Sequence, residues 1–430
     1  MSTTETEHIF RYTHEFSDTI IASATGAVIR DREGREILDF TSGQMSSILG
    51  HAHPEIVAAV RDGIERLDHV HSSFLSDPVI GFSRALSDLL PDKLSRVLPL
   101  STGGESNEAA LKMAKLATGR YEIVAFDRSW HGITGGAGSA TFNGARRGYG
   151  APVPGVLALP TPYAYRSPFA SNGNYDWRAE LDWGFEMVDR QTTGSLAAMI
   201  LEPILSSGGV IELPEGYPTA LAEHCRARGM LLIYDEAQTG LGRTGDRFAF
   251  EHEGVVPDIL TLSKTLGAGL PLSATVASAA LEEACYENDF LFYTTHTADP
   301  LPAAVGAKVV EILVRDRLEE RARDLGTYMK AVLLDLQQRH ECIGDVRGRG
   351  LLLGMELVED RHSKAPANEL GHEVGRRCIE LGASLNIARQ ASAHIFRIAP
   401  PLTVTRGQID TAMDILDRAL TECAGRRRRQ

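Results

Sequence analysis

Cysteine is scarce. Five residues, Cys225, Cys285, Cys342, Cys378 and Cys423, are scattered through 430 positions and include no C-x-x-C pair. This excludes a disulfide-stapled secreted scaffold and a zinc ribbon, and it is the pattern of reduced thiols in a cytoplasmic protein. Long apolar runs are missing too. None approaches the ~18 residues that span a bilayer, so no membrane partner is expected. The opening MSTTETEHIF has neither the basic nor the apolar stretch of a secretory signal, and none is expected. Positive charge is in deficit, with 44 Lys and Arg against 57 Asp and Glu for a net charge of −13. A nucleic-acid partner would need the opposite balance. The one basic run, Arg426 to Arg429, reads as a solvated tail. Repeats, low-complexity blocks and Pro/Ser-rich linkers are absent as well.

The remainder is ordinary globular material, 43% hydrophobic and 23% charged, long enough for two or three structural units. From RVLPL (96–100) onward, short apolar runs alternate with helix-length stretches: NEAALKMAKLATG (107–119), YEIVAF (121–126), LAAMILEPI (196–204), MLLIYDEA (230–237) and DILTLSK (258–264). Such runs predict the buried strands of a mainly parallel α/β sheet. After about residue 300 comes a long helical stretch, then VRGRGLLLGMELV (346–358), read as one strand with a Gly-rich entry. The expected division is an N-terminal segment at 1–44 outside both cores, a large domain at 45–305 and a smaller α+β domain at 306–430.

Ligands of open parallel sheets bind beyond the carboxyl ends of the strands, so the polar residues after each apolar run sample one site. After RVLPL comes Ser101-Thr102-Gly103-Gly104-Glu105-Ser106-Asn107 and then a helix, which suits a phosphate cradle or simply a capped turn. After YEIVAF comes Ser129-Trp130-His131-Gly132, where an indole can stack on a flat ring. After MLLIY comes Asp235, a cap or the partner of a buried cation. After ILTLS comes Lys264 among small residues, a setting that suits lysines that condense with carbonyls. Each feature has a structural alternative, but together they meet the needs of pyridoxal phosphate: donors for its phosphate, a face for its ring, an acid for its pyridine nitrogen and an amine for its aldehyde.

The words LLIYDEAQTGLGRTG and PDILTLSKTLGAGLPL resemble the signature of class III (subgroup II) pyridoxal-phosphate aminotransferases, of fold type I. The resemblance extends through LDFTSGQMSSILGHAHPEI, LSTGGESNEAALKMAK, SWHGITGG, EPILSSGGVIELPEGY, LFYTTHTADPLPAAVG, GDVRGRGLLLGMEL and FRIAPPLTV. Within the family, TSGQMS, SWHG and ILSSGG are most similar to the 2,2-dialkylglycine decarboxylases.

The resemblance implies roles. Lys264 would hold the cofactor and move protons, Asp235 would pair with the pyridine nitrogen, and Gln238 would bond the ring hydroxyl. Thr102, Gly103, Gly104 and Asn107 would surround the phosphate, with Thr295 reaching in from a second subunit of a homodimer or homotetramer. Trp130, His131 and Glu202 would line the ring pocket. Arg397 would grip a substrate carboxylate, Gln44 would hold the carboxylate that is lost, and Met45 and Ser207 would complete the substrate pocket. An alkali-metal ion, potassium or sodium, is implied as well, with Ser72, Thr295 and Asp299 and the carbonyls of Val70 and Thr297 as ligands. The implied reaction is decarboxylation of 2,2-dialkylglycines coupled to transamination of pyruvate. The alternatives are plain class III amino transfer between small amino-acid or amine and 2-oxo-acid substrates, or a cofactor-binding regulator, for which no DNA-binding segment precedes residue 40.

The chain departs from the family pattern at Gly104, where alanine is expected, and in a shortened ARQASAH loop before Arg397, which bears on side-chain preference. Three further features read as structural: His51 and His53 as a helix entry, Arg243 as a loop organiser, and Ser206 and Ser207 as lacking the partners of a hydrolase triad.

Overall fold

A computed structural model describes residues 7–427 apart from 14–15, 144–145, 149, 172 and 389–391, with side chains described through residue 425. Part of the ARQASAH loop and Arg428 and Arg429 of the basic run therefore lie outside the described residues.

The N-terminal stretch forms β1 (Ile21–Thr25), β2 (Val28–Asp31) and β3 (Glu36–Asp39). The central sheet contains β4 (Arg96–Leu100), β5 (Glu122–Phe126), β6 (Val156–Leu159), β7 (Leu196–Leu201), β8 (Leu231–Asp235), β9 (Ile259–Leu262) and β10 (Ser273–Ala277). The C-terminal stretch adds β11 (Ile343–Arg349), β12 (Leu352–Leu357), β13 (Ala383–Ser384) and β14 (Ile395–Ile398).

The seven central strands run β4-β10-β9-β8-β7-β5-β6. All are parallel except β10, which is antiparallel to both β9 and β4. Every residue of β5 and β7 is buried, as expected of strands covered on both faces. Two strands escape the sequence reading. VLAL of β6 is only four residues long, and SATVA of β10 carries hydroxyls in a buried strand. Those hydroxyls are satisfied by the neighbouring helix Gly103–Thr118: Ser273 Oγ donates to the Thr102 carbonyl at 2.8 Å and Thr275 Oγ1 to the Ser106 carbonyl at 2.8 Å.

Three expectations need correction. The segment before residue 45 is not outside the cores. β1, β2 and β3 form a four-stranded sheet with β13, and Ile37 and Phe40 are buried. β13 is two residues long, too short for any period to reveal the pairing. The 346–358 stretch is not one strand but part of the hairpin β11–β12, turned at Gly350 with φ +54°; β14 completes that antiparallel sheet. The boundary expected at 305/306 falls inside the helix Pro300–Arg315.

Candidate active site

The carboxyl ends of β4, β5, β7, β8 and β9 deliver Thr102, Trp130, Glu202, Asp235 and Lys264 respectively. Asp235 is buried at the last position of β8. Its Oδ2 accepts from Asn107 Nδ2 at 2.8 Å and lies 2.9 Å from His131 Nδ1, while Oδ1 accepts from the Ala237 amide at 3.1 Å. Burial alone would raise the carboxyl pKa, but the hydrogen bond and charge of His131, the Lys264 ammonium and the Asn107 bond hold it below the ordinary range.

Asn107 takes a different role from the one expected. Its amide is wholly engaged within the protein: Nδ2 also donates to the His131 carbonyl at 2.7 Å, and Oδ1 accepts from Thr261 Oγ1 at 2.7 Å. It positions the acid instead of facing a phosphate. Thr261 is thus a positioning residue that sequence reasoning missed.

Lys264 has φ +44° at the start of a short 3-10 turn. Burial lowers its pKa from the ordinary lysine value, opposed by the Asp235 and Glu202 carboxylates. Glu202 accepts from the Trp130 amide at 2.9 Å and the Ser206 amide at 3.2 Å, and burial pushes its pKa up to about 7. The Trp130 side chain is half-buried.

Arg397, on β14, donates from Nη1 to Ser207 Oγ at 2.8 Å and Gln238 Oε1 at 3.3 Å, and its Nε has no partner. Burial lowers its pKa to about 10, with the Glu202 charge pulling the other way. Gln238 is held by Ser206 Oγ at 2.9 Å and donates to Ser207 Oγ at 3.2 Å. Among the described residues no carboxylate is salt-bridged to Arg397. Asn386, which accepts from the Arg397 amide at 3.3 Å, is a second support that sequence reasoning missed.

Gln44 lies in a short turn in which Ser42, Gly43, Gln44 and Met45 all have positive φ. Left-handed backbone costs about 1–2 kcal/mol for each non-glycine residue, so this conformation needs external support. Asp39 Oδ1 and Oδ2 accept from the Thr41 and Gly43 amides at 2.9 Å each, and Ser42 Oγ donates to the Ala399 carbonyl. Ser46 Oγ reaches the Lys264 carbonyl at 3.1 Å, and Met45 is buried with Sδ 3.9 Å from Ser206 Oγ. The Gln44 side chain itself is exposed.

A pyridoxal phosphate fits these residues. Thr102 caps the 16-residue helix Gly103–Thr118, accepting from the Glu105 amide at 3.3 Å, and the helix start is a place for an anion. A Cβ on Gly103 would meet Ser263 Oγ at 2.7 Å, and one on Gly132 would meet Gly104 Cα at 2.8 Å, so the cradle requires bare backbone. Ser263 Oγ and His131 Nε2 are buried without protein partners. Such orphaned polar atoms in a native site point to a ligand. Ser263, directly before Lys264, is a further residue that sequence reasoning passed over.

Other expected residues lie outside this cluster. Thr295 is exposed on the loop before the helix Pro300–Arg315. Val70 and Ser72 are half-buried, and Thr297 Oγ1 accepts from the Thr294 amide at 2.8 Å. Both Asp299 oxygens face imidazoles, His69 Nδ1 and His296 Nδ1. The structural readings fit: His51 Nε2 lies 2.8 Å from Asp39 Oδ2, His53 precedes the helix Pro54–Arg66, and buried Arg243 donates to the Leu351 and Pro400 carbonyls.

Residues 11–420 match the family model described as aminotransferase class-III. The chain is 54% identical to an uncharacterized aminotransferase of Schizosaccharomyces pombe, over 96% of this chain and 93% of the relative. It is 34% identical to alanine–glyoxylate aminotransferase 2 homolog 2, mitochondrial, of Arabidopsis thaliana, over 91% and 80%. Among solved structures it is similar to an (S)-enantioselective omega-transaminase from Thermomicrobium roseum, with a TM-score of 0.91 and 31% identity over 98% of both chains.

Proposed function

We propose, from the premise that this chain belongs to the class III aminotransferase family, that it moves an amino group between an amino acid and a 2-oxo acid in two alternating half-reactions at one site. The observation that supports this best is Arg397, a half-buried guanidinium whose Nε is buried and unpartnered, linked through Gln238 and Ser207 to the site that contains Lys264 and Asp235.

When bound, pyridoxal phosphate supplies a carbonyl that takes up an amino group and a ring that withdraws electrons. Thr102, Gly103 and Gly104 at the helix start would hold its phosphate, and Trp130 would cover its ring. Asp235, kept ionised by His131 and Asn107, would hold a proton on the pyridine nitrogen. Lys264 Nζ, with its pKa lowered by burial, is suited to taking a proton from the substrate carbon and returning it. Ser207 and Gln238 fix the guanidinium of Arg397 so that a carboxylate can pair with it in bidentate fashion, which a lysine could not match. L-Alanine should therefore discharge the visible absorbance of the loaded enzyme and release pyruvate, and a 2-oxo acid should restore it. An enzyme whose spectrum is untouched by amino acids would defeat the reading.

A second reading, oxidative decarboxylation of 2,2-dialkylglycines such as 2-aminoisobutyrate, is favoured by the Gln44 turn. It places a neutral donor directly before Met45 and Ser46, which reach Ser206 and Lys264. Incubation with 2-aminoisobutyrate and pyruvate should then give carbon dioxide, acetone and alanine. Gln44→Ala should lose most of this while keeping far more of the alanine half-reaction, by roughly ten- to a hundredfold for one hydrogen bond to a charged group. No carbon dioxide from the wild-type enzyme would leave amino transfer alone.

We take the working unit to be at least a homodimer in which Thr295 contributes to the phosphate site of the other subunit. A chain that sediments as a monomer and is fully active would refute this.

A further inference from the structure

His69, His296 and Asp299 form a cluster that neither the cofactor site nor the substrate pocket uses. Asp299 directly precedes the helix Pro300–Arg315. Its Oδ1 lies 2.6 Å from His69 Nδ1 and its Oδ2 2.6 Å from His296 Nδ1. The ring centroids are 5.2 Å apart, and one ligand-capable atom from each residue falls within 4.8 Å of the others. The carboxylate is largely buried, at 12% side-chain exposure, while the imidazoles are open to solvent at 41% and 63%. An ion at the cluster would find its anionic ligand already oriented by the two imidazoles.

Alkali-metal ions take hard oxygen donors, whereas two imidazole nitrogens with one carboxylate oxygen suit zinc, cobalt or nickel. We propose that His69, His296 and Asp299 bind a divalent transition-metal ion where the resemblance implied potassium or sodium. The ion would take Nδ1 of each imidazole and an oxygen of Asp299, with water completing its coordination. A neutral ring then shifts its proton from Nδ1 to Nε2 through solvent, and a cationic ring releases one proton to solvent. The ion keeps its oxidation state.

The surroundings indicate what the ion would do. Thr294 Oγ1 donates to Glu105 Oε1 at 2.8 Å, Glu105 Oε2 accepts from the Ser101 amide at 2.8 Å, and the Ala298 amide donates to the Pro99 carbonyl at 3.1 Å. The loop that ends in Asp299 is thereby tied to the strand and helix start of the phosphate cradle. An ion at its end would fasten the segment that carries Thr295.

The test uses pyridoxal-phosphate-loaded enzyme, dialysed against a chelator and titrated with cobalt(II). One ion per chain should bind and give ligand-field absorption to the red of the cofactor band. Zinc should abolish that absorption and a large excess of potassium chloride should not. His69→Gln and His296→Gln can still donate to Asp299 but offer no imidazole, so each should weaken cobalt binding by at least about a hundredfold while keeping the cofactor band. Lys264→Ala should bind cobalt like the wild type, which separates this site from metal held at the cofactor. No stoichiometric cobalt, absorption that survives in both glutamine variants, or displacement by potassium would each overturn the proposal.

Discussion

Replacing Arg397 with leucine asks whether the enzyme holds its substrates by a carboxylate. Burial, partly opposed by the Glu202 charge, takes the guanidinium from 12.5 to about 10, a net cost to the charged form on the order of 3.5 kcal/mol at roughly 1.4 kcal/mol per pKa unit. The group is still charged at neutral pH, with Nη1 bonded to Ser207 and Gln238 and Nε unpartnered. An incoming carboxylate supplies the missing counter-charge. Truncating one member of a buried, hydrogen-bonded charge pair costs about 2–5 kcal/mol, which corresponds to a fall in kcat/KM of roughly thirtyfold to several thousandfold. That loss should appear with L-alanine and with 2-oxo acids. A primary arylalkylamine, having no carboxylate, should react with the variant about as well as with the wild type. The assay is the rate at which each donor discharges the cofactor absorbance under single-turnover conditions. Arg397→Lys should recover only part of the loss, because an ammonium keeps the charge but not the planar fork. Equal losses for alanine and the amine would refute the reasoning and make Arg397 a support of the β14 strand.

Lys264→Ala should lose both the visible cofactor absorbance and all turnover; wild-type turnover in this variant would dismiss the lysine from the reaction. Asp235→Asn should still bind cofactor but turn over roughly a hundredfold more slowly or worse, since a preorganised charge at the ring is removed; activity within about twofold of the wild type would make the acid purely structural. Glu202 and Glu236 are both buried and pushed up to about 7 from 4.5. Between those values the folded chain binds more protons than the unfolded one, so stability falls as pH rises through this window. Glu202→Gln should flatten that slope by at most about 3 kcal/mol across the window, read from denaturant melts between pH 4.5 and 8, and an unchanged slope would show that Glu202 does not titrate there.

Asp235 and Lys264 were legible because each follows a short apolar run, and parallel sheets gather the residues that follow their strands. The same apolar signal carried five of the seven central strands. It could not carry β10, whose buried Ser273 and Thr275 look like loop residues until the helix carbonyls that accept their protons are known. Nor could it reveal what Asn107 does, since its partners lie 128 and 154 positions away. His69 and Asp299 are likewise 230 positions apart and meet only after folding. What stayed hidden was long-range pairing between polar groups, which leaves no local pattern.

The left-handed turn at 42–45 has a consequence for anyone who wishes to widen the substrate range. One end is fastened to the C-terminal part of the chain: the Phe40 amide donates to the Ser384 carbonyl at 2.9 Å, the Ala399 amide donates to the Phe40 carbonyl at 2.8 Å, and Ser42 Oγ donates to the Ala399 carbonyl. The other end is fastened to the lysine by Ser46. The turn therefore works as a spacer bar that sets the gap between the Arg397 strand and Lys264. Enlarging the pocket by trimming side chains leaves that gap as it is. Altering the spacing means rebuilding the bar, and with it the two segments, at Ser384 and Ala399, that hold it from the other end of the sequence.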